Sequence, residues 1–179
     1  MDRSSRPVTF RLRRAEQLID TGLAEVSGGN HSQARDMFRR SADLWLTSEA
    51  LTYWAWMEHQ LGQTGYAMDL CAQAIAVDPE FGNPYNDLGS YLVAQGRVDE
   101  AIPWFEKAKV AKRYGPRQFP YMNMGRLFVA RGQYMRALRE FKAAAKHAPD
   151  LEMIQEAIRD IQDRIVSPVA HIGQPHAQL

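Results

Sequence analysis

Cysteine is nearly absent from this chain, which has 179 residues and one cysteine, Cys71. A single thiol cannot form an intramolecular disulfide, so the fold must hold without one and does not require an oxidising compartment. Long apolar runs are also missing, and we therefore expect no membrane-spanning helix. No apolar segment follows the basic residues near the N-terminus, as one would in a signal peptide. These absences favour a cytoplasmic protein.

An excess of charge of one sign is missing too. The chain has 22 Lys and Arg residues against 21 Asp and Glu residues. Because phosphate binding usually needs a strong basic excess, a nucleic-acid partner is not expected. Two local basic clusters remain, for which a structural role is the first interpretation and an acidic or nucleic-acid partner the second. They are Arg3, Arg6, Arg11, Arg13 and Arg14, and Lys107, Lys109, Lys112, Arg113 and Arg117.

Catalytic and metal-binding patterns are also lacking. The five histidines stand far apart, and none pairs with Cys or Glu at the spacing of metal ligands (His31, His59, His147, His171 and His176). The sequence contains no phosphate-binding glycine loop and no nucleophile with an adjacent base. Cys71 is expected to be a buried structural thiol. We therefore predict that the chain is not an enzyme and uses no metal and no cofactor.

A four-residue pattern recurs along the chain. It consists of Gly, then Ala five residues on, a third marker four residues further, and a small residue after three more. Its third marker is Phe in three copies and Cys in the second. The copies start at Gly29, Gly62, Gly96 and Gly132 and are 33, 34 and 36 residues apart. A fixed period of this length predicts a repeat protein.

A second apolar segment precedes the Gly of each copy, with spacings of three, four and seven residues that place its side chains on one helix face. Each copy is therefore predicted to be a helix, a Gly-containing turn and a helix. A small residue marks the close approach of the two helices in each copy: Gly22, Ala55, Gly89 and Gly125. Large residues such as Phe105 and Phe141 are expected to fill the gap between neighbouring repeats.

Residues 15–149 resemble the tetratricopeptide repeat, with its small and aromatic markers and a closing proline at Pro79 and Pro149. The resemblance implies an all-α fold, a right-handed superhelical solenoid of four helix-turn-helix repeats plus a C-terminal capping helix. The predicted helices are 10–27, 31–45, 48–61, 64–77, 83–95, 98–112, 118–131, 134–147 and 151–165. We expect a flexible segment at 1–9, the array at 10–149, the cap at 150–166 and a disordered tail at 167–179.

In proteins of this family, the first helix of each hairpin lines a concave groove. The resemblance therefore implies a protein–protein interaction module that binds a peptide or partner segment there. The predicted groove residues are Glu49, Thr52, Trp56, His59, Asn83, Asn86, Ser90, Phe119, Met122 and Arg126. Trp56 could instead pack between repeats. The alternative function is a self-assembling scaffold or assembly factor that forms homo-oligomers through its repeats.

The first copy departs from this groove pattern, because Ile19, Leu23 and Val26 are apolar where an open groove would be polar. Either the N-terminal segment around Val8 and Phe10 covers them, or a partner does, or the register there is off by one. The chaperone-binding members of the family hold a C-terminal carboxylate with a clamp of Lys, Arg and Asn. The corresponding positions here are Ile19, Leu23, Tyr53, Asn83 and Asp87, so a ligand of that kind is not expected.

Overall fold

The computed structural model describes residues 5–166, with side chains from residue 9 onward. That part of the chain contains nine α-helices and no β-strand. They are α1 (Ser5–Ser27), α2 (His31–Leu44), α3 (Ser48–Gln60), α4 (Thr64–Val77), α5 (Asn83–Ala94), α6 (Val98–Val110), α7 (Gln118–Ala130), α8 (Tyr134–His147) and α9 (Glu152–Val166). No helix within these residues combines the length and apolarity that crossing a bilayer requires.

The predicted helix boundaries agree with the structure to within two residues, except at the start of α1. This helix begins at Ser5 rather than at residue 10, so residues 5–9 extend the first helix instead of forming a flexible segment. Pro7 lies in its first turn, where a missing backbone N–H costs little. The predicted flexibility of residues 1–4 and the predicted disordered tail lie outside the described residues.

The recurring glycine forms the turn of each hairpin. Gly29, Gly62, Gly96 and Gly132 have φ angles of 77°, 84°, 74° and 68°, in the left-handed region that glycine enters without a steric penalty. The next residue's N–H then bonds back to the preceding helix. In the second hairpin, for example, the Gln63 N–H donates to the Glu58 carbonyl at 2.8 Å. This helix ending explains why the glycine marks every copy.

The two helices of a hairpin meet where a glycine faces a phenylalanine. A Cβ atom added to Gly89 would lie 2.6 Å from the Phe105 ring, and one added to Gly125 would lie 2.6 Å from the Phe141 ring. These phenylalanines were predicted to fill the gap between repeats. Their rings instead occupy the space left by the missing Cβ in their own hairpin.

The chain divides into two compact units, unit 1 ending at Tyr114 and unit 2 beginning at Gly115. Unit 1 contains α1–α6. One of its buried clusters includes Ala55 and Cys71, which are fully buried in the second hairpin. Glu58 stands at an apolar position of the repeat pattern. It is buried in the structure and accepts a 2.8 Å hydrogen bond from the Trp54 indole.

The loop that precedes α5 and the loop that follows α6 are joined by hydrogen bonds and ion pairs. Lys112 and Arg113, two residues of the second basic cluster, take part in these contacts. The Arg113 N–H donates to the Glu80 carbonyl, and the Gly82 N–H donates to the Arg113 carbonyl, both at 2.9 Å. The Lys112 ammonium pairs with the Glu80 carboxylate at 3.1 Å, and Arg113 pairs with Asp78. These contacts support the structural interpretation of this cluster, because its cations hold neighbouring loops together.

Unit 2 contains α7, α8 and α9 within the described residues. The apolar stripe of α9 turns inward, with Ile154 fully buried and Ile161 1% exposed. This helix packs against α8, whose Phe141 is buried. A helix with one apolar face at the end of a repeat array covers surface that the last repeat would otherwise expose to water.

Candidate functional site

The predicted groove residues of α3 do not share one environment. Glu49 is exposed, and Trp56 and His59 are partly buried. Thr52 is only 5% exposed, and its hydroxyl donates to the Ser48 carbonyl at 2.7 Å. The prediction that Thr52 offers its side chain to a groove was therefore wrong. Its hydroxyl is used one helical turn back, a common arrangement for Thr in a helix.

Trp56 lies at the edge of an apolar cluster built from the first hairpin and α3. The buried centre of this cluster is formed by Ala34, Phe38 and Met57. Trp56 packs against it and keeps part of its surface in water. The indole thus combines the packing role and the surface role that the sequence left as alternatives.

The apolar stripe of the first copy belongs to the same cluster. Ile19, Leu23 and Val26 pack against it and are partly buried, so this stripe has packing partners within unit 1. Phe10 does not cover it, because Phe10 belongs to α1 and is 72% exposed. The Val8 side chain lies outside the described residues.

Polar side chains line the neighbouring face of α5. Asn83, Asn86 and Ser90 are all partly buried, and the Ser90 hydroxyl donates to the Asn86 carbonyl at 3.0 Å. The His59 ring of α3 stacks on the Tyr91 ring of α5 with a centroid separation of 4.3 Å. This stack joins the two helices, so the faces of α3 and α5 form one surface within unit 1.

Burial lowers the pKa of His59, and its Nδ1 lies 3.0 Å from the Thr64 hydroxyl oxygen. The ring is therefore mainly neutral near pH 7. A neutral imidazole that stacks on one side and bonds through its edge acts here as a spacer between helices rather than as a charge.

Asp87 is a polar residue of this region that was not among the predicted groove residues. Burial raises its pKa to about 7, opposed by a hydrogen bond with Asn86. The negative charge of Asp87 in turn contributes to raised pKa values of Cys71, Tyr91 and Tyr114. The Tyr91 hydroxyl is buried without a hydrogen-bond partner among the described residues. Helical spacing alone could not reveal this cluster, because it depends on how α4 and α5 meet.

The Asp87 carboxyl predicts a pH-dependent stability. Its folded pKa of about 7 lies above the unfolded value of about 3.9, so the folded protein binds the extra proton between these pH values. Stability is therefore highest at low pH within this window and falls as the pH rises towards 7. We expect Asp87→Asn to increase the free energy of unfolding by about 1–3 kcal/mol at pH 8 and much less at pH 4.5.

Urea denaturation of both proteins at the two pH values measures this difference. Asn86→Ala serves as the control, because losing the hydrogen bond to Asp87 raises its pKa further and leaves the pH dependence in place. An equal effect of Asp87→Asn at both pH values would show that burial does not raise the pKa of the Asp87 carboxyl.

The predicted groove residues of α7 lie in unit 2. Phe119 is 42% exposed and Arg126 is exposed. Met122 is only 1% exposed, so it does not stand open on the surface as predicted. It lines a cavity of about 250 Å³ together with Arg126 and with residues of α8 and α9.

The described residues contain no group of three or more His, Cys, Asp or Glu side chains placed to hold a metal ion. Cys71 is fully buried, and burial raises the pKa of its thiol. Its thiol therefore stays protonated, which is the state of a structural cysteine rather than of a nucleophile.

The hairpins define a class of protein: paired helices joined by a left-handed glycine, with a small residue set against a large one at the crossing. Comparison with known proteins agrees. The sequence model of the tetratricopeptide repeat matches residues 67–116 and 122–153. That match covers less than half of the chain and identifies tetratricopeptide repeats in those residues. Proteins built from this repeat are generally non-enzymatic modules that bind peptides or protein partners.

Among curated proteins, the chain is similar to the small glutamine-rich tetratricopeptide repeat-containing protein 2 of Mycosarcoma maydis. The two are 29% identical over 102 residues, which cover 54% of this chain and 28% of the relative. The match therefore spans little more than a quarter of that protein's length.

Two solved structures show the same fold. PilF of Pseudomonas aeruginosa superposes with a TM-score of 0.78 at 19% identity, covering 94% of this chain and 79% of PilF. YrrB, a tetratricopeptide repeat protein with an unusual peptide-binding site, has a TM-score of 0.61 at 18% identity, covering 81% of this chain and 74% of YrrB.

Proposed function

We propose that this chain is a non-enzymatic interaction module that binds a peptide or partner segment on the first-helix faces of its hairpins. In unit 1 the binding surface is formed by α3 and α5, and in unit 2 a separate surface is formed by α7. The unit 1 surface consists of Glu49, Trp56, His59, Asn83, Asn86 and Ser90. The unit 2 surface consists of Phe119 and Arg126, and the buried Met122 lies beneath it in the cavity lining. A cytoplasmic location is part of the proposal, since the chain's one cysteine needs no oxidising compartment.

The observation that carries the proposal is the environment of Trp56. Its indole packs against an apolar cluster on one side and keeps part of its surface in water. Large aromatic side chains held in this way are the residues that most often dominate binding energy. The amides of Asn83 and Asn86 stand on the neighbouring helix and are partly exposed. An amide can donate to and accept from the backbone of a bound peptide.

The glutamates of this region suggest the charge of the partner. Glu16 and Glu49 are exposed, and the negative charge of Glu49 helps to raise the pKa of Tyr53. A basic residue in the bound segment would offset this charge. The unusual peptide-binding site of YrrB is consistent with peptide binding by this fold.

The test compares the amounts of protein that wild type and the variants capture. Tagged wild-type protein, Trp56→Ala, Arg126→Ala and the double variant are each incubated with native lysate, and bound proteins are quantified by mass spectrometry. We expect Trp56→Ala to reduce a specific partner roughly tenfold or more, where each decade is about 1.4 kcal/mol. Arg126→Ala reports on the unit 2 surface separately.

Gln73→Ala is the matched control, because Gln73 is exposed on α4, a second helix. It should retain the partner fully. Circular dichroism and melting curves must show that each variant keeps its helical content. If wild type and the double variant capture the same proteins in equal amounts, the binding surface lies elsewhere, on the second helices or on the loop at Arg113.

Self-assembly is the second candidate function, and exposed apolar residues of unit 1 favour it. Phe10 is 72% exposed and Leu46 is 58% exposed. If these side chains join copies of the chain, the mass measured by sedimentation rises with protein concentration. The double variant Phe10→Ser and Leu46→Ser should then remain at the lower mass. A mass that does not depend on concentration would contradict this candidate.

A further inference from the structure

Unit 2 contains a cavity of about 250 Å³ between its first helix and the capping helix. Met122 and Val129 of α7 line one part of it, Phe141 of α8 another, and Met153 and Ile161 of α9 the rest. The capping helix thus does more than cover the last hairpin. Together with α7 it borders a hollow that the four-repeat pattern did not predict.

The size and lining of the cavity define what it can hold. An apolar cavity of about 150 Å³ in another protein is large enough to bind benzene. A space of about 250 Å³ therefore has room for one aromatic or large aliphatic side chain. The thioethers of Met122 and Met153 adapt to different shapes, because Met has several rotatable bonds and a polarisable sulfur.

Two charged residues, Arg126 and Asp160, also line the cavity, and only Asp160 has an ion-pair partner among the described residues. Asp160 accepts a 2.8 Å hydrogen bond from Arg164 within an ion pair. Arg126 makes only a long contact, 3.4 Å, with the amide oxygen of Asn123. No carboxylate among residues 5–166 lies within ion-pair distance of Arg126. The cavity therefore offers an apolar interior and one cation that is not paired within the described chain.

We propose that this cavity is an anchor pocket for a partner segment that carries a large apolar side chain and an acidic side chain about one helical turn apart. The apolar side chain enters between α7 and α9, and the carboxylate pairs with Arg126. The guanidinium can donate two parallel hydrogen bonds to a carboxylate, which fixes the direction of the segment. This inference rests on the proposed peptide-binding function and adds the chemistry of the partner at unit 2.

The probe is an alanine- and glutamine-based helical peptide with blocked ends, one Phe, and one Glu a helical turn later. Matched peptides carry Gln or Lys in place of Glu, or Ala in place of Phe. Binding is followed by NMR of the methionine methyl groups in the full chain, assigned with Met122→Leu and Met153→Leu. Met135 of α8, 63% exposed, and Met57 of unit 1, fully buried, are internal controls.

We expect the Glu peptide to shift the Met122 and Met153 signals and to leave Met57 and Met135 in place. The peptide without Phe should bind about tenfold or more weakly, because it loses the burial of an aromatic ring. Replacing Glu by Gln should weaken binding roughly two- to fivefold at low salt, the range of an exposed ion pair. The Lys peptide should be the weakest of the three that carry Phe.

Two variants separate the contributions. Arg126→Gln should remove the preference for Glu over Gln while keeping the need for Phe. Ala157→Leu, which fills the cavity from α9, should weaken every Phe-containing peptide, provided that its melting curve matches wild type. Equal binding of the Glu and Lys peptides, or the absence of shifts at Met122 and Met153, would overturn the proposal. Loss of lysate partners in Trp56→Ala would still support the unit 1 surface in that case.

Discussion

Gly89→Ala is expected to destabilise the protein by about 1–3 kcal/mol, because a methyl group there overpacks the crossing of α5 and α6. The added Cβ would lie 2.6 Å from the Phe105 ring, and both residues are buried. Gly65→Ala is the matched control within unit 1, since a Cβ at Gly65 meets nothing within 4 Å. We expect that variant to be neutral or stabilised by about 0.4–1 kcal/mol. Urea denaturation gives both values.

The second hairpin shows how the clash can be relieved. It has Ala55 where the third hairpin has Gly89, and Cys71 where the third hairpin has Phe105. The extra methyl group of Ala55 is thus matched by a smaller side chain on the facing helix. Phe105→Cys alone should cost about 3–5 kcal/mol through the cavity that it leaves. The double variant with Gly89→Ala should cost clearly less than the sum of the two. Additive effects would mean that the two positions do not share one space.

Removal of the capping helix should have the largest effect on unit 2. A chain ending at Asp150 loses Ile154 and Ile161, which are almost fully buried, and exposes the apolar surface around Phe141. Each buried Ile contributes about 1.5–3 kcal/mol. We therefore expect the melting temperature to fall by on the order of 10 °C, or the truncated protein to aggregate through the exposed face.

A chain ending at Val166 is the control, since it keeps all of α9. Its melting temperature should equal that of the full chain. Ile154→Asp provides a second test without truncation, because Ile154 is fully buried and a buried carboxylate with no partner is strongly unfavourable. If the chain ending at Asp150 has the same melting temperature as the chain ending at Val166, α9 does not stabilise the last hairpin.

The helices could be predicted from the sequence because two independent signals coincide in each copy. The apolar spacing indicates a helix face, and the glycine marks the residue that must adopt a positive φ. At the start of α1 no such marker is present, and the helix extends five residues further than predicted. Boundaries are predictable where the backbone geometry demands one residue type.

The site was less predictable. A spacing of three and four residues shows which side chains share a helix face, but it does not show whether that face is buried or exposed. Thr52 and Met122 lie on the predicted stripes, yet both are buried. Met122 lines a cavity together with residues of α9 that lie more than thirty positions further along the chain, and helical spacing carries no information on such distant neighbours. The raised pKa of Asp87 likewise arises where α4 and α5 meet.

Hydrogen exchange of the protein with and without a captured partner tests the central claim most directly. If the first helices form the binding surfaces, the partner should slow exchange in peptides from residues 48–60 and 83–94, from 118–130, or from both units. Peptides from α2, α4, α6 and α8 should exchange at unchanged rates. Protection confined to those second helices would contradict the proposed binding surfaces.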